Sequence, residues 1–401
     1  MKKPFIILAS AVVILASCVK DDQLQISNNP NEQGGSAIAF NSYAGIQTRA
    51  ADNNKDATNK WDLENHTTTF DVWAWKYYDG QWVTTPVYGT ELTGDSRKGT
   101  VTYSGGTWTA DPIKFWDKSA DKYCFYAAAP SDAKWTLTGT GASGKLSYAD
   151  FTLAGGINNN LSYNETATVT TLQNSFLNVD DVDLMIAEDN VVLRAKYNKD
   201  APEDVYELFD HILSRLNVTV ALKDGGALET QNAVVKVTDF MITGVNLKNK
   251  GSFNEDAELG TDVLNDGTIK RWDNRSTTGT YNLPGASISG TTLTDEPLYI
   301  AQYLIIPQAI TSEVLDRAKA TLLDGTAASH PYLMIAYTVN GEPYTAYYNL
   351  ANAFGKAANT TLNFCEGWQN TLHIKLDADA ITFDAQVYEW ADKENPDVTI
   401  F

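Results

Sequence analysis

The sequence predicts an all-β protein, and three observations carry the prediction. Short aromatic and β-branched runs recur along the chain, two-residue turns separate many of them, and helical periodicity is confined to two segments. Asp79-Gly80 lies between Phe70 to Tyr78 and Gln81 to Val87, Asn340-Gly341 between Tyr332 to Val339 and Glu342 to Tyr348, and Gly105-Gly106 between Val101 to Tyr103 and Trp108. Asn-Gly and Asp-Gly pairs fit the primed turns whose twist matches that of antiparallel strands, so these are hairpins. Many such runs at close spacing read as sandwiches or barrels.

The chain opens on Lys2 and Lys3, followed by an apolar run from Phe5 to Ala16. A run of that length falls short of the ~20 residues a spanning helix needs and reads as a secretory signal over residues 1–17. Leu15-Ala16-Ser17-Cys18 resembles a bacterial lipobox, which makes Cys18 the expected lipid attachment site; the plainer alternative is an ordinary signal with a chance cysteine. Acyl chains contribute about 0.8 kcal/mol per buried CH₂, so two or more would hold the chain on a membrane. The following Val19-Lys20-Asp21-Asp22 resembles a short signal for export to the outer face of an outer membrane; it also reads as a solvated tether.

Residues 18–36, rich in Asn, Gln, Asp, Ser and Gly, bury too little to offset ordering and read as a flexible tether. In Ala37-Ile38-Ala39-Phe40-Asn41 the alternation puts Ile38 and Phe40 on one face of a lone strand. That strand is expected to lie buried, paired edge-on, in the first domain. Thr48-Arg49-Ala50 then leads into a polar stretch from Asp52 to Lys60, where Arg49 is expected to be exposed.

Helical spacing appears at Val205, Leu208, Phe209, Ile212, Leu213 and Leu216 within Ala201 to Leu216, and again in Ser312 to Leu323. The polar Tyr197-Asn198-Lys199-Asp200 places a boundary near residue 200, giving domains over 50–200 and 201–401. At the end of the chain, Leu372, Ile374 and Leu376 alternate, Asp377 to Ala380 turns, and Ile381, Phe383, Ala385 and Val387 alternate back towards Trp390 as a closing hairpin.

Composition excludes several functions. A formal charge of −20 over 401 residues and a pI near 4.5 repel nucleic acid and anionic headgroups. Cys124 and Cys365, far apart in apolar strands, are expected to be buried thiols. The four histidines, His66, His211, His330 and His373, have no second ligand at metal spacing, and His211 reads as a packing histidine. Asp180, Asp181 and Asp183, like Glu389, Asp392 and Glu394, read as solvated surface rather than as a general acid and base. Phosphate-cradling loops and nucleophile elbows do not occur, so the chain is not expected to be an enzyme or to carry a cofactor or metal. The one excess is aromatic, 10 Trp and 20 Tyr, with Trp73, Trp75, Tyr77, Tyr78 and Trp82 close together. Exposed, they could stack on sugars; Trp73 and Trp75 share one face, as core residues would.

Read in order, several of these segments resemble the fimbrillin family that builds type V pili of Bacteroidales. They are Cys18 in its lipobox, the lone strand before Thr48-Arg49-Ala50, Phe70-Asp71-Val72-Trp73-Ala74-Trp75, and Lys114-Phe115-Trp116 with Lys122-Tyr123-Cys124-Phe125-Tyr126-Ala127-Ala128-Ala129-Pro130. Asp183-Leu184-Met185-Ile186-Ala187, His211-Ile212-Leu213-Ser214-Arg215-Leu216, Tyr303-Leu304-Ile305-Ile306-Pro307 and Gly367-Trp368 with the closing hairpin follow. The resemblance implies two consecutive transthyretin-like β-sandwich domains with one or two short helices. It also implies a surface lipoprotein of the outer membrane that enters a fimbria.

On that resemblance, an arginine-directed protease cuts between Arg49 and Ala50. The strand bearing Ile38 and Phe40, within residues 37–49, is lost, and a strand from another pilus subunit fills the groove. The partners implied are other subunits, the lipid anchor, and a host protein or glycan as adhesive ligand. Stalk subunits of that family donate a strand from the C-terminal end; with only Ala391 to Phe401 after Trp390, a stalk subunit and a tip or accessory subunit both stay open. The rival readings are a monomeric surface lipoprotein that binds glycans through exposed aromatics and, further off, a secreted glycoside hydrolase.

Overall fold

Alternation and turn chemistry set the strands of the first half of the chain. In a computed structural model, which describes residues 36–44, 61–62, 67–90, 96–153, 182–244, 247–255, 271–276, 281–284, 291–312, 331–357, 360–378 and 381–389, these are β1 (Phe40–Ala44), β2 (Trp61–Asp62), β3 (Thr69–Tyr78), β4 (Gln81–Trp82), β5 (Gly89–Thr90), β6 (Ser96–Arg97), β7 (Gly99–Ser104), β8 (Thr107–Asp111), β9 (Lys122–Ala129), β10 (Trp135–Thr138), β11 (Lys145–Thr152), β12 (Met185–Leu193) and β13 (Val205–His211). The expected hairpins form: β3 turns into β4 at Asp79 and Gly80, with φ of +50° and +81°, and β7 turns into β8 at Gly105 and Gly106. Positive φ at both central positions is the primed geometry that Asx-Gly pairs supply at little cost.

The remaining strands are β14 (Ser214–Leu222), β15 (Val235–Gly244), β16 (Lys250–Asn254), β17 (Trp272–Ser276), β18 (Tyr281–Pro284), β19 (Leu298–Ile305), β20 (Gln308–Thr311), β21 (Tyr332–Val339), β22 (Glu342–Asn349), β23 (Thr361–Phe364), β24 (Trp368–Leu376) and β25 (Thr382–Glu389). They make four-stranded sheets in the orders β19-β14-β24-β25 and β18-β15-β21-β22, while β16 and β17 extend β10 and β11. The Asn340-Gly341 turn joins β21 to β22, and β24 pairs antiparallel with β25 in the closing hairpin. The all-β class holds.

One expectation is corrected. Residues 201–216 are not a helix but β13 and the start of β14, joined through buried Ile212 and Leu213. Along β13 the buried positions are Val205, Glu207, Phe209 and His211, a strict alternation. Two polar residues point inward and hide the period of two, while the apolar residues of the corner mimic helical spacing. Among the described residues the α-helices are single turns at Arg194–Tyr197, Ala227–Thr230 and Leu350–Ala353, and a 3-10 turn lies at Gly141–Ser143. The second expected helix falls outside the described residues beyond Ser312.

Past residue 200, β13 pairs with β1 and β12 in the first sheet, so the pairing runs across that position and leaves the sheet only at Ile212-Leu213.

The first sheet has nine strands, and its path β13-β12-β9-β3-β7-β8-β1 returns to β13 through the β1 pairing. At its centre, both faces of β3 and β9 are covered. Phe70, Val72, Ala74, Tyr123, Phe125, Ala127 and Ala129 face one cluster with Phe40, while Trp73, Trp75, Cys124, Tyr126 and Ala128 face a second that continues into the later sheets. Burial on both sides explains why β9 is apolar at nearly every position. Cys124 and Cys365 are buried, as expected, and neither is in a disulfide.

Candidate functional site

The segment with least sequence support for its place in a sheet, residues 36–44, sits in the middle of one. Along one edge it runs parallel to β13, with Phe40 opposite Val205, Ser42 opposite Glu207 and Ala44 opposite Phe209. Along the other, Phe40 pairs with Trp108 of β8, Tyr43 and Ala44 pair with β2, and Ala37 bridges Phe115. The Ile38 amide donates to the Lys114 carbonyl at 2.8 Å, the Trp116 amide to Ser36 at 3.1 Å, and the Val205 amide to Ala39 at 2.8 Å. The strand is therefore paired on both sides, not edge-on, and it closes the ring of strands.

Its inward face carries the anchors. Ile38 and Phe40 are each 4% exposed, and the Phe40 ring meets Phe70, Tyr88 and Phe125 edge-on at 6.0–6.1 Å between centroids. Trp108, Trp116, Val205 and Phe209 complete the same cluster. Burying two large apolar side chains contributes about 1.5–3 kcal/mol each. The third inward position is different: Ser42 is buried and lies opposite Glu207, which is 1% exposed. Among the described residues the Ser42 hydroxyl has no hydrogen-bond partner, and it does not engage either Glu207 carboxyl oxygen. Burial pushes the Glu207 carboxyl up to about 8; a side-chain hydrogen bond from Asn190, whose Nδ2 also donates to the Tyr206 carbonyl at 2.7 Å, opposes the shift.

A family model described as fimbrillin-like matches residues 48–390. The chain belongs to that family. Membership makes this fimbrillin-like protein a subunit of the pilus and adhesin class, acting at the cell surface with other subunits. Among solved structures, it is similar to a fimbrial protein from Bacteroides vulgatus, with 15% identity, a TM-score of 0.43, and 88% of this chain and 99% of that one covered. It is also similar to the tip fimbrial protein Mfa3 from Porphyromonas gingivalis, with 8% identity, a TM-score of 0.35, and 80% and 94% covered. For the fimbrial anchor protein Mfa2 from Porphyromonas gingivalis the figures are 12%, 0.28, and 88% and 98%. No curated protein matches the sequence.

Of the residues the sequence singles out in this fimbrillin-like chain, Ile38 and Phe40 come together in one core. Cys18, Arg49 and Ala50 lie outside the described residues. The aromatic cluster does not form a platform for sugars: Trp73 and Trp75 are buried, and Trp82 is half-buried against Tyr77 at 5.1 Å. His211 is buried with its Nδ1 2.8 Å from the Asp183 carboxylate, which draws Asp183 off the expected solvated surface. Among the described residues no group of three or more His, Cys, Asp and Glu side chains is placed to hold a metal. Glu207 and Ser42 were not legible as site residues, although the alternation Val205, Glu207, Phe209 marks Glu207 as inward once a strand is assumed.

Proposed function

We propose that the chain is the lipid-anchored precursor of a fimbrial subunit. Cys18 carries the lipid, a protease cuts between Arg49 and Ala50, and the strand bearing Ile38 and Phe40 is then exchanged for a strand of another subunit. One observation supports this reading above the others: an N-terminal strand, separated by a polar stretch containing Arg49 from the rest of the sheet, fills a slot between β13 and β8 with its apolar face buried. Withdrawing it leaves two unpaired strand edges and an apolar groove. Such an edge is unstable alone and binds an extended segment through backbone hydrogen bonds, with alternate side chains in pockets. The host ligand, protein or glycan, stays with the adhesive surface of the assembled fimbria.

Trimming tests it. Limited digestion by an arginine-specific protease, followed by mass spectrometry, should give a stable core beginning at Ala50 that multimerises into detergent-resistant ladders. First cuts elsewhere, or a core that stays monomeric, would refute it. Cys18→Ala should release the chain from the membrane fraction; partition unchanged after carbonate washing would place the anchor elsewhere.

A further inference from the structure

Ile38 and Phe40 explain why the groove holds an apolar strand; they do not explain the polar position beside them. Ser42 and Glu207 are register partners on adjacent parallel strands, on the face that carries Phe40, Val205 and Phe209. Neighbouring strands lie about 4.8 Å apart, so the two side chains leave the backbone side by side. Both are buried; among the described residues the Ser42 hydroxyl meets no hydrogen-bond partner, and the Glu207 carboxyl, with Asn190 as its one polar side-chain neighbour that lowers its pKa, has no partner on the strand opposite. A buried polar group without a partner loses its hydration and regains nothing, so native interiors rarely keep one. Here Ser42 is such a group, and it faces the Glu207 carboxyl across the seam along which the strand is proposed to leave. The resident residue is short: a serine hydroxyl, one bond from Cβ, does not engage the carboxyl at the end of the longer glutamate.

Resting on the strand-exchange reading above, we propose that Glu207 sets the sequence preference of this groove. The strand that replaces residues 36–44 carries a large apolar residue in the place of Phe40 and, two residues later, a primary amide that reaches the Glu207 carboxyl.

The amide is the matching chemistry. Held neutral by burial, the Glu207 carboxyl offers one O–H donor and one carbonyl acceptor. A Gln or Asn amide offers the complementary N–H and carbonyl, so two hydrogen bonds form and no charge is buried. The Ser42 hydroxyl, too short to reach the carboxyl, supplies neither of the two. The resident strand is thus a placeholder that fills the apolar pockets and leaves the polar one unmet, while the incoming strand satisfies all three.

The test is a coupling measurement on the full chain cut after Arg49. Fluorescein-labelled nonapeptides of sequence 36–44, native or with Ser42→Gln or Ser42→Met, compete for the groove of the parent and of Glu207→Leu. Gln and Met have similar volume and differ in hydrogen bonding. The Gln-over-Met preference should be at least about tenfold greater in the parent than in Glu207→Leu, the effect of satisfying a buried polar pair. If a longer side chain is excluded, Ser42→Asn against Ser42→Leu repeats the comparison with shorter ones. The same substitutions in the uncut chain, read by hydrogen exchange at the Val205 amide, report the preference without any exchange of strands. Peptides that enter with equal preference in both backgrounds overturn the role of Glu207 and leave strand exchange standing. Coupling in the uncut chain with no peptide entering the cut one upholds the role of Glu207 and overturns strand exchange. Absence of coupling in both overturns this proposal.

Discussion

Phe40→Ala is the perturbation that weighs the first strand most directly. The ring is 4% exposed and meets three aromatic neighbours edge-on, so alanine leaves a cavity that Phe70, Tyr88 and Phe125 close only in part. Phe→Ala in a packed core costs about 3–5 kcal/mol, which already contains the edge-to-face contacts. The cost is capped here, because a terminal strand can detach and then nothing further is lost. We expect about 3–4 kcal/mol in the uncut chain, concentrated on the strand. The Val205 amide, which donates to Ala39, should exchange about a hundred- to a thousandfold faster, one decade per ~1.4 kcal/mol. Urea unfolding followed by tryptophan fluorescence, with Trp108 and Trp116 in the same cluster, measures the same loss globally. In a chain cut after Arg49 and stripped of the strand, the substitution is absent along with the residue. A loss below about 1 kcal/mol in the uncut chain, or unchanged protection at Val205, would show that Phe40 does not hold the strand in its seat.

Two further predictions follow from buried polar groups in the same sheet. The Glu207 carboxyl rises from its ordinary 4.5 to about 8 in the folded chain, so the folded state keeps a proton that the unfolded chain releases; the stability it allows is full below about pH 4.5, falls as pH rises to about 8, and is level beyond, a change on the order of 5 kcal/mol. Glu207→Gln should flatten that slope in urea midpoints taken at pH 5 and pH 8, and an unaltered slope would assign it to other groups. Asp71, fully buried, accepts from Lys98 at 2.5 Å, Ser131 at 2.7 Å, Thr100 at 3.2 Å and the Asp132 amide at 3.0 Å. Asp71→Ala strands these donors and should cost about 3–5 kcal/mol in thermal or urea unfolding, whereas a cost under 1 kcal/mol would mean that water replaces the carboxylate.

Local chemistry made much of this chain legible. Gly80, Gly106 and Gly341 sit at positive φ in hairpins whose Asx-Gly or Gly-Gly pairs announce them, and the alternation of Leu372, Ile374 and Leu376 returns as the buried face of β24. The lone strand was legible for the same reason: Ile38 and Phe40 alternate in a polar neighbourhood. Val205 to His211 misled because Glu207 and His211 are buried. A two-state reading of apolar against polar takes an inward glutamate as outward, and the corner at Ile212-Leu213 then supplies a false helical stripe.

The sequence by itself determined that the chain is built of strands, where its hairpins turn and which residues of the first strand seek a core. These depend on periodicity, on φ preferences and on burial of individual side chains, all of which act over a few residues. Only the tertiary structure decided what the first strand pairs with. Phe40 meets Val205 in a parallel register across more than 160 residues of sequence, and no local signal specifies a partner at that distance, because backbone hydrogen bonds are alike in every strand. The same pairing brings Ser42 against Glu207 and buries a carboxyl that the sequence alone would leave in water.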